Sequence, residues 1–345
     1  MSLSAILLLA TFATFPQDDV SSHLPPECRQ FDFWVGEWEI ENRFLQPGGE
    51  YRTDGSANAR ITPVLGGAAV FEQWRGEIHG RSQIGFSLRA YDPAAKIWNL
   101  LLFWPGANGI GQFGTLKGQF RHGRGEFFSE YPGQNGQIVK NRYTFSDALP
   151  ESMRWDSATS KDGGQTWQTS WIMEFSRTAP ASSRKQAMIL DPWMKDDVPA
   201  PELMTQSAFW LGDWSGKEQV LGKEGWQERT LSSKRSALLA GTLHIGFVDS
   251  KGPNGELERR LLAGAYVVPQ KQWEWWSFDD RTMQFSNVGG QWLGKSLTAQ
   301  TRRPIGEPRR TTWTKESDDA YHVEVSRQTE SGSWEVFRKQ DWTRD

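Results

Sequence analysis

The sequence predicts an all-β protein built from two tandem antiparallel β-barrels that are joined by a linker. Three observations support this prediction. The chain has 345 residues, which is too long for one ordinary barrel and sufficient for two domains with their own cores. Tryptophan and glycine are abundant, at 19 and 34 residues, as expected for many short strands joined by glycine-containing turns. Finally, a set of landmarks occurs twice in the same order.

The repeat is clearest at the start of each copy. Residues 33–38 (FWVGEW) recur as residues 209–214 (FWLGDW), an offset of 176 (209 minus 33). Later landmarks keep their order while the offset shrinks, as loop deletions would produce. They pair Leu65-Gly66-Gly67 with Leu239-Ala240-Gly241, Ala90-Tyr91 with Ala265-Tyr266, Trp98 with Trp273, Trp167 with Trp334, and Arg177 with Arg344.

The repeat and the composition of the remaining segments divide the chain into four parts. Residues 1–24 form a leader whose apolar run, 5–13, has the length of a signal peptide, although no Lys or Arg precedes it. Residues 25–178 form barrel 1, 179–204 the linker and 205–345 barrel 2. The linker is rich in turn-forming residues and lacks strand alternation. We therefore predict an exported protein, periplasmic or secreted.

Charge, cysteine and histidine usage exclude several classes of function. The formal net charge is -3, and acidic and basic residues alternate, so no nucleic-acid partner is indicated. The single cysteine, Cys28, cannot form an intrachain disulfide, and the usual zinc spacings are absent. The histidines are scattered, without H-x-H or H-E-x-x-H spacing. The sequence thus predicts no metal, no cofactor and no membrane-spanning segment.

Two equivalent strands have period-two patterns that are apolar on both faces. In residues 98–104 (WNLLLFW) the even-numbered and odd-numbered positions are both largely apolar. In the second copy, Trp273 and Trp275 share one face, whereas Trp276 and Phe278 take the other. Such strands are expected to be covered on both faces.

One set of residues resembles the calycin pattern, in which an Arg of the last strand packs across the Trp of a G-x-W motif and closes one end of the barrel. The residues are Gly36, Trp38 and Arg177 in copy one, and Gly212, Trp214 and Arg344 in copy two. Trp38, Arg177, Trp214 and Arg344 are therefore expected to be barrel-closure residues, and the barrels are expected to be lipocalin-like.

A narrower resemblance covers nearly all of copy one and, more faintly, copy two. The segments 31–38 (FDFWVGEW), 65–74 (LGGAAVFEQW) and 160–167 (SKDGGQTW) resemble the bacterial DUF1579 family. That family comprises often exported, lipocalin-like proteins without an agreed biochemical function. The resemblance implies the fold and export, and no activity.

Copy two departs from this pattern. Glu72 and Trp74 have no clear counterpart in residues 242–247, and Trp104 stands where copy two carries Asp279. We therefore expect a small-molecule site within residues 29–177 and a second barrel that serves mainly as a scaffold.

Two short motifs are interpreted as turns. Residues 109–114 (GIGQFG) match the dinucleotide fingerprint, but a strand-like segment follows where that chemistry needs a helix. Residues 160–167 match the Asp-box of sialidases, in which this segment is a structural hairpin, and a single copy does not make a propeller. We expect Asp162 to accept backbone N–H bonds and Trp167 to plug the core.

Polar side chains on otherwise apolar strands are the best site candidates. Glu72 and Arg142 are costly to bury without a partner, so they either satisfy each other or anchor a ligand. In a ligand-binding role, Arg142 would hold an anionic group while aromatic rings line the apolar body. The candidate ligand-binding residues are Glu72, Trp74, Tyr91, Trp98, Arg142 and Trp155.

The leading functional hypothesis is an exported, non-enzymatic protein that binds a small apolar or amphipathic molecule in a Trp-lined barrel. One alternative is a small-barrel isomerase, cyclase or decarboxylase that uses Glu72 and Arg142, an analogy at the level of the fold. Another is haem binding through His244 or His322, if either points inward. In a further alternative, copy two is a degenerate partner that caps or dimerises with copy one, which predicts a large apolar surface between them.

Overall fold

A computed structural model describes residues 24–105, 111–133, 136–179, 202–301 and 308–345. Within these residues the chain forms two closed antiparallel barrels of ten strands each, which confirms the predicted tandem-barrel fold. The leader up to residue 23 and linker residues 180–201 lie outside the described residues, so their predictions stay untested. No described helix is long and apolar enough to cross a membrane.

Barrel 1 is a meander in which each strand pairs with the next and β1 pairs with β10 to close the ring. Two short 3-10 helices, Pro26–Arg29 and Asp32–Trp34, precede it, and a third, Leu65–Gly67, joins β2 to β3. The strands are β1 (Gly36–Leu45), β2 (Tyr51–Val64), β3 (Ala69–Ile78), β4 (Arg81–Asp92), β5 (Ile97–Trp104), β6 (Gln112–Arg121), β7 (Arg124–Pro132), β8 (Ile138–Ser146), β9 (Ser152–Ser160) and β10 (Gln168–Ala179).

Barrel 2 repeats this topology, and β11 pairs with β20 to close it. Its 3-10 helices are Glu202–Trp210, Leu239–Gly241 and Val268–Gln270. The strands are β11 (Gly212–Gly222), β12 (Gly225–Leu238), β13 (Leu243–Lys251), β14 (Leu257–Val267), β15 (Gln272–Asp279), β16 (Gln284–Leu293), β17 (Ser296–Thr301), β18 (Arg309–Lys315), β19 (Ala320–Gln328) and β20 (Trp334–Arg344).

Each strand that is apolar on both faces turns one face toward the interior of its own barrel. Its other face packs against the neighbouring barrel. Phe86 and Phe103 lie on the outer face of barrel 1, yet each is only 1% exposed. They belong to one apolar cluster that also contains Ile245, Leu261 and Trp276 of barrel 2. The barrels therefore share an extensive apolar interface, as the partner-barrel alternative predicts.

This interface joins equivalent surfaces of the two copies. Phe71 of β3 and Phe247 of β13, the equivalent strand of barrel 2, have ring centroids 6.4 Å apart. The turn Leu65–Gly67 contacts β14, and its counterpart Leu239–Gly241 contacts β4. The reciprocal contacts describe an approximate two-fold arrangement, as in an isologous dimer. Barrel 2 is therefore a partner that shields an apolar face of barrel 1.

The two motifs interpreted as turns have different outcomes. Asp162 Oδ1 accepts the backbone N–H groups of Gln165 and Thr166, both at 3.0 Å, as predicted. The expectation that Trp167 plugs the core is wrong, because its ring is part-exposed and packs against Phe128 on the outer face. In the dinucleotide-like motif, residues 109–114, the first two residues lie outside the described residues, and β6 follows as the expected strand.

Candidate functional site

Barrel 1 encloses a cavity of about 240 Å³. This volume lies between the roughly 150 Å³ that holds benzene and the ~300 Å³ at which drug-sized pockets begin. Aromatic rings and a few polar groups form the wall, which is lined by Trp34, Glu72, Trp74, Gln83, Arg89, Leu102, Trp104, Tyr143, Phe145, Trp155, Trp171, Met173 and Phe175.

Strand alternation and one glycine place the indoles in this wall. Glu72 and Trp74 are two residues apart on β3 and therefore face the same side. A Cβ atom added at Gly85 of β4 would lie 2.7 Å from ring atoms of Trp104, so only glycine leaves room for this indole to cross the strand. Trp104 in turn packs against Trp74, with 4.9 Å between ring centroids. The result is a cluster of tilted and edge-on indoles along one side of the cavity.

A buried charged network forms the closed end of the cavity. Ser87 donates a hydrogen bond to the Glu72 carboxylate, and Arg89 Nη1 donates to Ser87 Oγ at 2.6 Å. Both terminal nitrogens of Arg89 lie 3.4 Å from Glu72 Oε2. The guanidinium carbon lies 3.7 Å from the ring centroid of Trp34, which adds a cation–π contact. Burial lowers the pKa of Arg89 to about 10, so the side chain stays charged at neutral pH.

Three donors of cavity-lining side chains are buried without a hydrogen-bond partner among the described residues. No described residue accepts a hydrogen bond from Trp34 Nε1, Trp74 Nε1 or Arg89 Nε, and all three atoms are buried. An unpaired buried donor costs free energy that an acceptor would recover. The site is therefore suited to a ligand that carries a hydrogen-bond acceptor.

The predicted ligand-binding residues divide into three groups. Glu72, Trp74 and Trp155 line the cavity. Tyr91 and Trp98 lie outside its lining at the closed end, where Trp98 packs edge-on against Phe31 at 4.8 Å and donates to Gln30 Oε1 at 2.8 Å. These two residues therefore pack against the helices that close the barrel.

Arg142 is the exception, since the structure does not bring it to Glu72. Its neighbour Tyr143 lines the cavity, so Arg142 projects from the opposite face of β8. There its guanidinium carbon lies 4.6 Å from the Trp167 ring centroid, and its Nη1 lies 3.8 Å from Glu126 Oε1. The expected Glu72–Arg142 pair is wrong, and so is the enzyme hypothesis that required both groups in one cavity. The cation beside Glu72 is Arg89, which the sequence did not single out.

The closure residues make equivalent contacts in both barrels. The Arg177 guanidinium carbon lies 4.0 Å from the Trp38 ring centroid, and its nitrogens donate to the carbonyl oxygens of Val35 (2.7 Å) and Phe33 (2.8 Å). Arg344 lies 4.5 Å from the Trp214 ring centroid and donates to the carbonyls of Leu211 and Phe209, both at 2.7 Å. Each arginine therefore ties its last strand to the segment that enters the first strand.

Neither histidine of the haem alternative lines a cavity in the described part of the chain. His322 lies on the outer face of β19, with its Nδ1 2.7 Å from Asp341 Oδ1. His244 faces inward at the closed end of barrel 2, where its Nδ1 lies 2.9 Å from Ser207 Oγ. The Trp210 and Trp273 rings pack against it. The described residues hold no group of three or more His, Cys, Asp or Glu side chains arranged to bind a metal ion.

His244 gives a testable dependence of stability on pH. Burial lowers its pKa to about 4, against about 6.5 in an unfolded chain. The unfolded state therefore binds more protons between these values, and stability that is present above pH 6.5 is lost as pH falls toward 4, by about 3 kcal/mol at most. His244→Gln keeps a polar group for Ser207 and removes the titration.

Urea denaturation at pH 7.5 and pH 5 measures this effect. We expect the wild-type protein to lose more stability than His244→Gln over this interval. Equal losses in the two proteins would show that other groups account for the pH dependence.

Comparison with protein families and with characterised proteins found no match. Among solved structures, similarity extends to a protein of unknown function from the DUF3598 family of Nostoc punctiforme, with 10% identity, 93% coverage of this chain, 100% of that chain and a TM-score of 0.26. The S-type phycobiliprotein lyase CPES from Guillardia theta matches at 12% identity, over 43% of this chain and 90% of its own, with a TM-score of 0.26.

A third similar structure is EF1p2_mFAP2b bound to DFHBI, at 12% identity, over 44% of this chain and 98% of its own, with a TM-score of 0.25. Similarities this weak transfer neither a ligand nor an activity.

Proposed function

We propose that this protein binds a small, flat, largely apolar molecule in barrel 1, and that the ligand carries a hydrogen-bond acceptor. The observation that carries the proposal is the cavity of about 240 Å³, lined by five indoles and ending at the Arg89–Glu72 network. Indole rings stack on flat ligands, and the volume suits one or two fused rings.

The unpaired donors define the polar part of the ligand. A carbonyl, ether or carboxylate oxygen near Trp74 Nε1 or Arg89 Nε would satisfy groups that no described residue satisfies. A purely hydrocarbon ligand would leave them unpaired. Acceptor-bearing ligands should therefore bind more tightly than hydrocarbons of the same shape.

A matched ligand pair tests this proposal. We expect 2-acetylnaphthalene to bind about fivefold more tightly than 2-ethylnaphthalene, because one additional hydrogen bond contributes roughly 1 kcal/mol. Tryptophan fluorescence titration gives both affinities. If neither compound causes saturable quenching, or if the two bind equally, the proposal fails.

Two single-tryptophan substitutions locate the binding. Trp74→Phe keeps an aromatic ring and removes one unpaired donor, so it should reduce the preference for the acetyl compound. Trp226→Phe is the control, since Trp226 is 44% exposed on barrel 2. It should leave both affinities unchanged.

We also propose that the protein is exported and that it belongs with the DUF1579-like proteins. Export rests on the apolar run at 5–13, which lies outside the described residues, and the family assignment rests on the motifs of copy one. Expression of the full chain in a Gram-negative host tests export. Periplasmic recovery of a protein shortened at its N-terminus supports it, and retention of the full-length protein in the cytoplasm contradicts it.

A further inference from the structure

The charged network of barrel 1 uses only one oxygen of the Glu72 carboxylate. Ser87 Oγ and both terminal nitrogens of Arg89 contact the same atom, Oε2. No described residue donates a hydrogen bond to Oε1, although Glu72 belongs to the cavity wall. A carboxylate that serves only the packing usually has both oxygens hydrogen-bonded. One oxygen of Glu72 is therefore held in place, and the other is available to a ligand.

Tyr143 lines the same cavity from the opposite wall. Its strand, β8, lies five strands from β3 in either direction around the ring of ten. Burial, with a smaller contribution from the Glu72 carboxylate, raises the pKa of the Tyr143 hydroxyl above its ordinary value. At neutral pH this hydroxyl is therefore protonated and can donate a hydrogen bond to a ligand. The cavity thus lies between a carboxylate and a phenol.

Both groups are replaced at the equivalent positions of barrel 2. Strand register relates Glu72 to Gly246 and Tyr143 to Thr311. Neither replacement supplies a carboxylate or a phenol, whereas the closure contacts are kept in both barrels. The barrel architecture therefore does not require Glu72 or Tyr143, and the pair is specific to barrel 1.

A carboxylate opposite a phenol suits proton transfer next to a carbonyl group. The carboxylate can remove a proton from the carbon beside the carbonyl, and the phenol can stabilise the negative charge that develops on the carbonyl oxygen. Such hydrogen bonds are stronger in a site from which water is excluded. The ligand proposed for barrel 1 carries an acceptor oxygen, and a ketone meets this requirement.

We propose that barrel 1 catalyses the enolisation of small, flat ketones, with Glu72 as the general base and Tyr143 as the hydrogen-bond donor to the carbonyl oxygen. The proposal rests on the ligand binding proposed for barrel 1 and adds a reaction to it. Arg89 is a positioning residue, because its contacts hold Oε2 of Glu72 and leave Oε1 for the substrate.

The reaction needs no further reactant. The C–H bond beside the carbonyl breaks, and its proton moves to Glu72 Oε1. The electron pair of that bond forms the carbon–carbon double bond of the enolate, while the π pair of the carbonyl moves onto the oxygen that accepts the hydrogen bond from Tyr143. Return of a proton from Glu72 to the carbon restores the ketone. Nothing is oxidised or reduced, and in D₂O the returned hydrogen is deuterium after Glu72 exchanges with solvent.

Hydrogen exchange of 2-tetralone in D₂O tests the proposal on the full chain. This ketone has the two-ring shape of the naphthalene ligands, and its C1 protons are acidic because they lie between the carbonyl and the aromatic ring. We expect the NMR signal of these protons to disappear faster with the protein than in buffer alone, at a rate that saturates with 2-tetralone concentration. Exchange no faster than in buffer would overturn the proposal.

Tryptophan fluorescence titration with the same ketone separates this proposal from that of ligand binding. Saturable quenching without catalysed exchange would leave the binding proposal intact and exclude the reaction. Absence of both quenching and exchange would contradict both proposals.

Two carboxylates of barrel 1 provide matched variants. Glu72→Gln removes the base and keeps the shape of the side chain, so it should lower the catalysed exchange rate at least about 100-fold. Glu126→Gln is the control, since Glu126 lies beside Arg142 on the outer face, and it should leave the rate unchanged. Equal exchange rates in the wild-type protein and Glu72→Gln would contradict a role for this carboxylate.

Tyr143→Phe keeps the ring that packs against Trp155 and leaves the Glu72–Arg89 pair intact, so it tests the proposal even if Glu72→Gln does not fold. We expect at least about tenfold slower exchange, because one donor to the developing oxyanion is lost. Tyr266→Phe, in barrel 2, is the control and should have no effect. An unchanged rate in Tyr143→Phe would contradict its role as the donor.

A cavity-filling variant locates the reaction. Leu102→Trp places a large ring in the barrel 1 cavity, which Leu102 lines, and should abolish both the binding of 2-tetralone and its catalysed exchange. If exchange persists in this variant, the reaction takes place outside barrel 1 and the proposal is overturned.

Discussion

Arg89→Met should lower the free energy of unfolding by about 3–5 kcal/mol, which is the usual effect of removing one member of a buried ion pair. Arg89 and Glu72 are only 3% and 5% exposed. The substitution preserves much of the side-chain volume, so the main change is the loss of charge. It leaves the Glu72 carboxylate buried with Ser87 as its hydrogen-bond donor. Urea denaturation at pH 7.5 measures the effect.

A double-mutant cycle with Glu72→Gln separates the pair from the packing around it. If the charges stabilise each other, the double variant should be more stable than Arg89→Met alone, with a coupling energy of about 1–3 kcal/mol. Arg52→Met is the matched surface control. Its ion-pair partner is Glu50, its side chain is 71% exposed, and a change of under about 1 kcal/mol is expected.

The same variants test whether the network belongs to the binding site. Arg89→Met should weaken binding of 2-acetylnaphthalene and have little effect on 2-ethylnaphthalene, because only the acetyl oxygen accepts a hydrogen bond. Unchanged stability, with full retention of the preference for the acetyl compound, would contradict both roles of Arg89.

Arg89 was missed in the sequence because the interface between the barrels obscures the inward face of β4. The odd-numbered positions carry Gln83, Ser87 and Arg89, whereas Phe86 and Leu88 lie among the even-numbered ones. Alternation alone therefore suggests that the apolar face points into the barrel. The reverse holds, since the apolar face packs against barrel 2 and the polar face lines the cavity.

The fold was predictable because its determinants are local or repeated. The duplicated motifs at 33–38 and 209–214 give the copy number, and period-two alternation gives the strands. A binding site is harder to predict than the fold, because its residues come from distant strands and the strand register decides which side chains meet. Arg89 faces the cavity and Arg142 faces the outside of barrel 1. No local sequence pattern distinguishes the two arginines.

Barrel 2 contains a cavity of about 110 Å³, which the sequence did not indicate for the same reason. Arg260, Arg309 and Arg338 lie in three different strands, each with a mixture of charged residues that is typical of a solvated face. Only closure of the barrel brings them to one wall.

Phe71→Asp should destabilise the protein by about 4 kcal/mol, because it removes a buried ring and places a charge in an apolar interface. Phe71 is 2% exposed and contacts Phe247 across the approximate two-fold axis. We also expect the two barrels to unfold in separate transitions, whereas in the wild-type protein the shared core couples them.

The control for this prediction is Phe128→Asp. Phe128 also lies on the outer face of barrel 1, but it is 40% exposed and its ring contacts Trp167 of the same barrel, so its replacement should cost less than about 1 kcal/mol. Differential scanning calorimetry resolves the number of transitions. Because Phe71 and Phe247 contact each other, Phe247→Asp should have a similar effect, and the double variant should lose less than the sum of the two. Additive losses would show that the two rings act independently, and an unchanged single transition in Phe71→Asp would show that this interface does not couple the barrels.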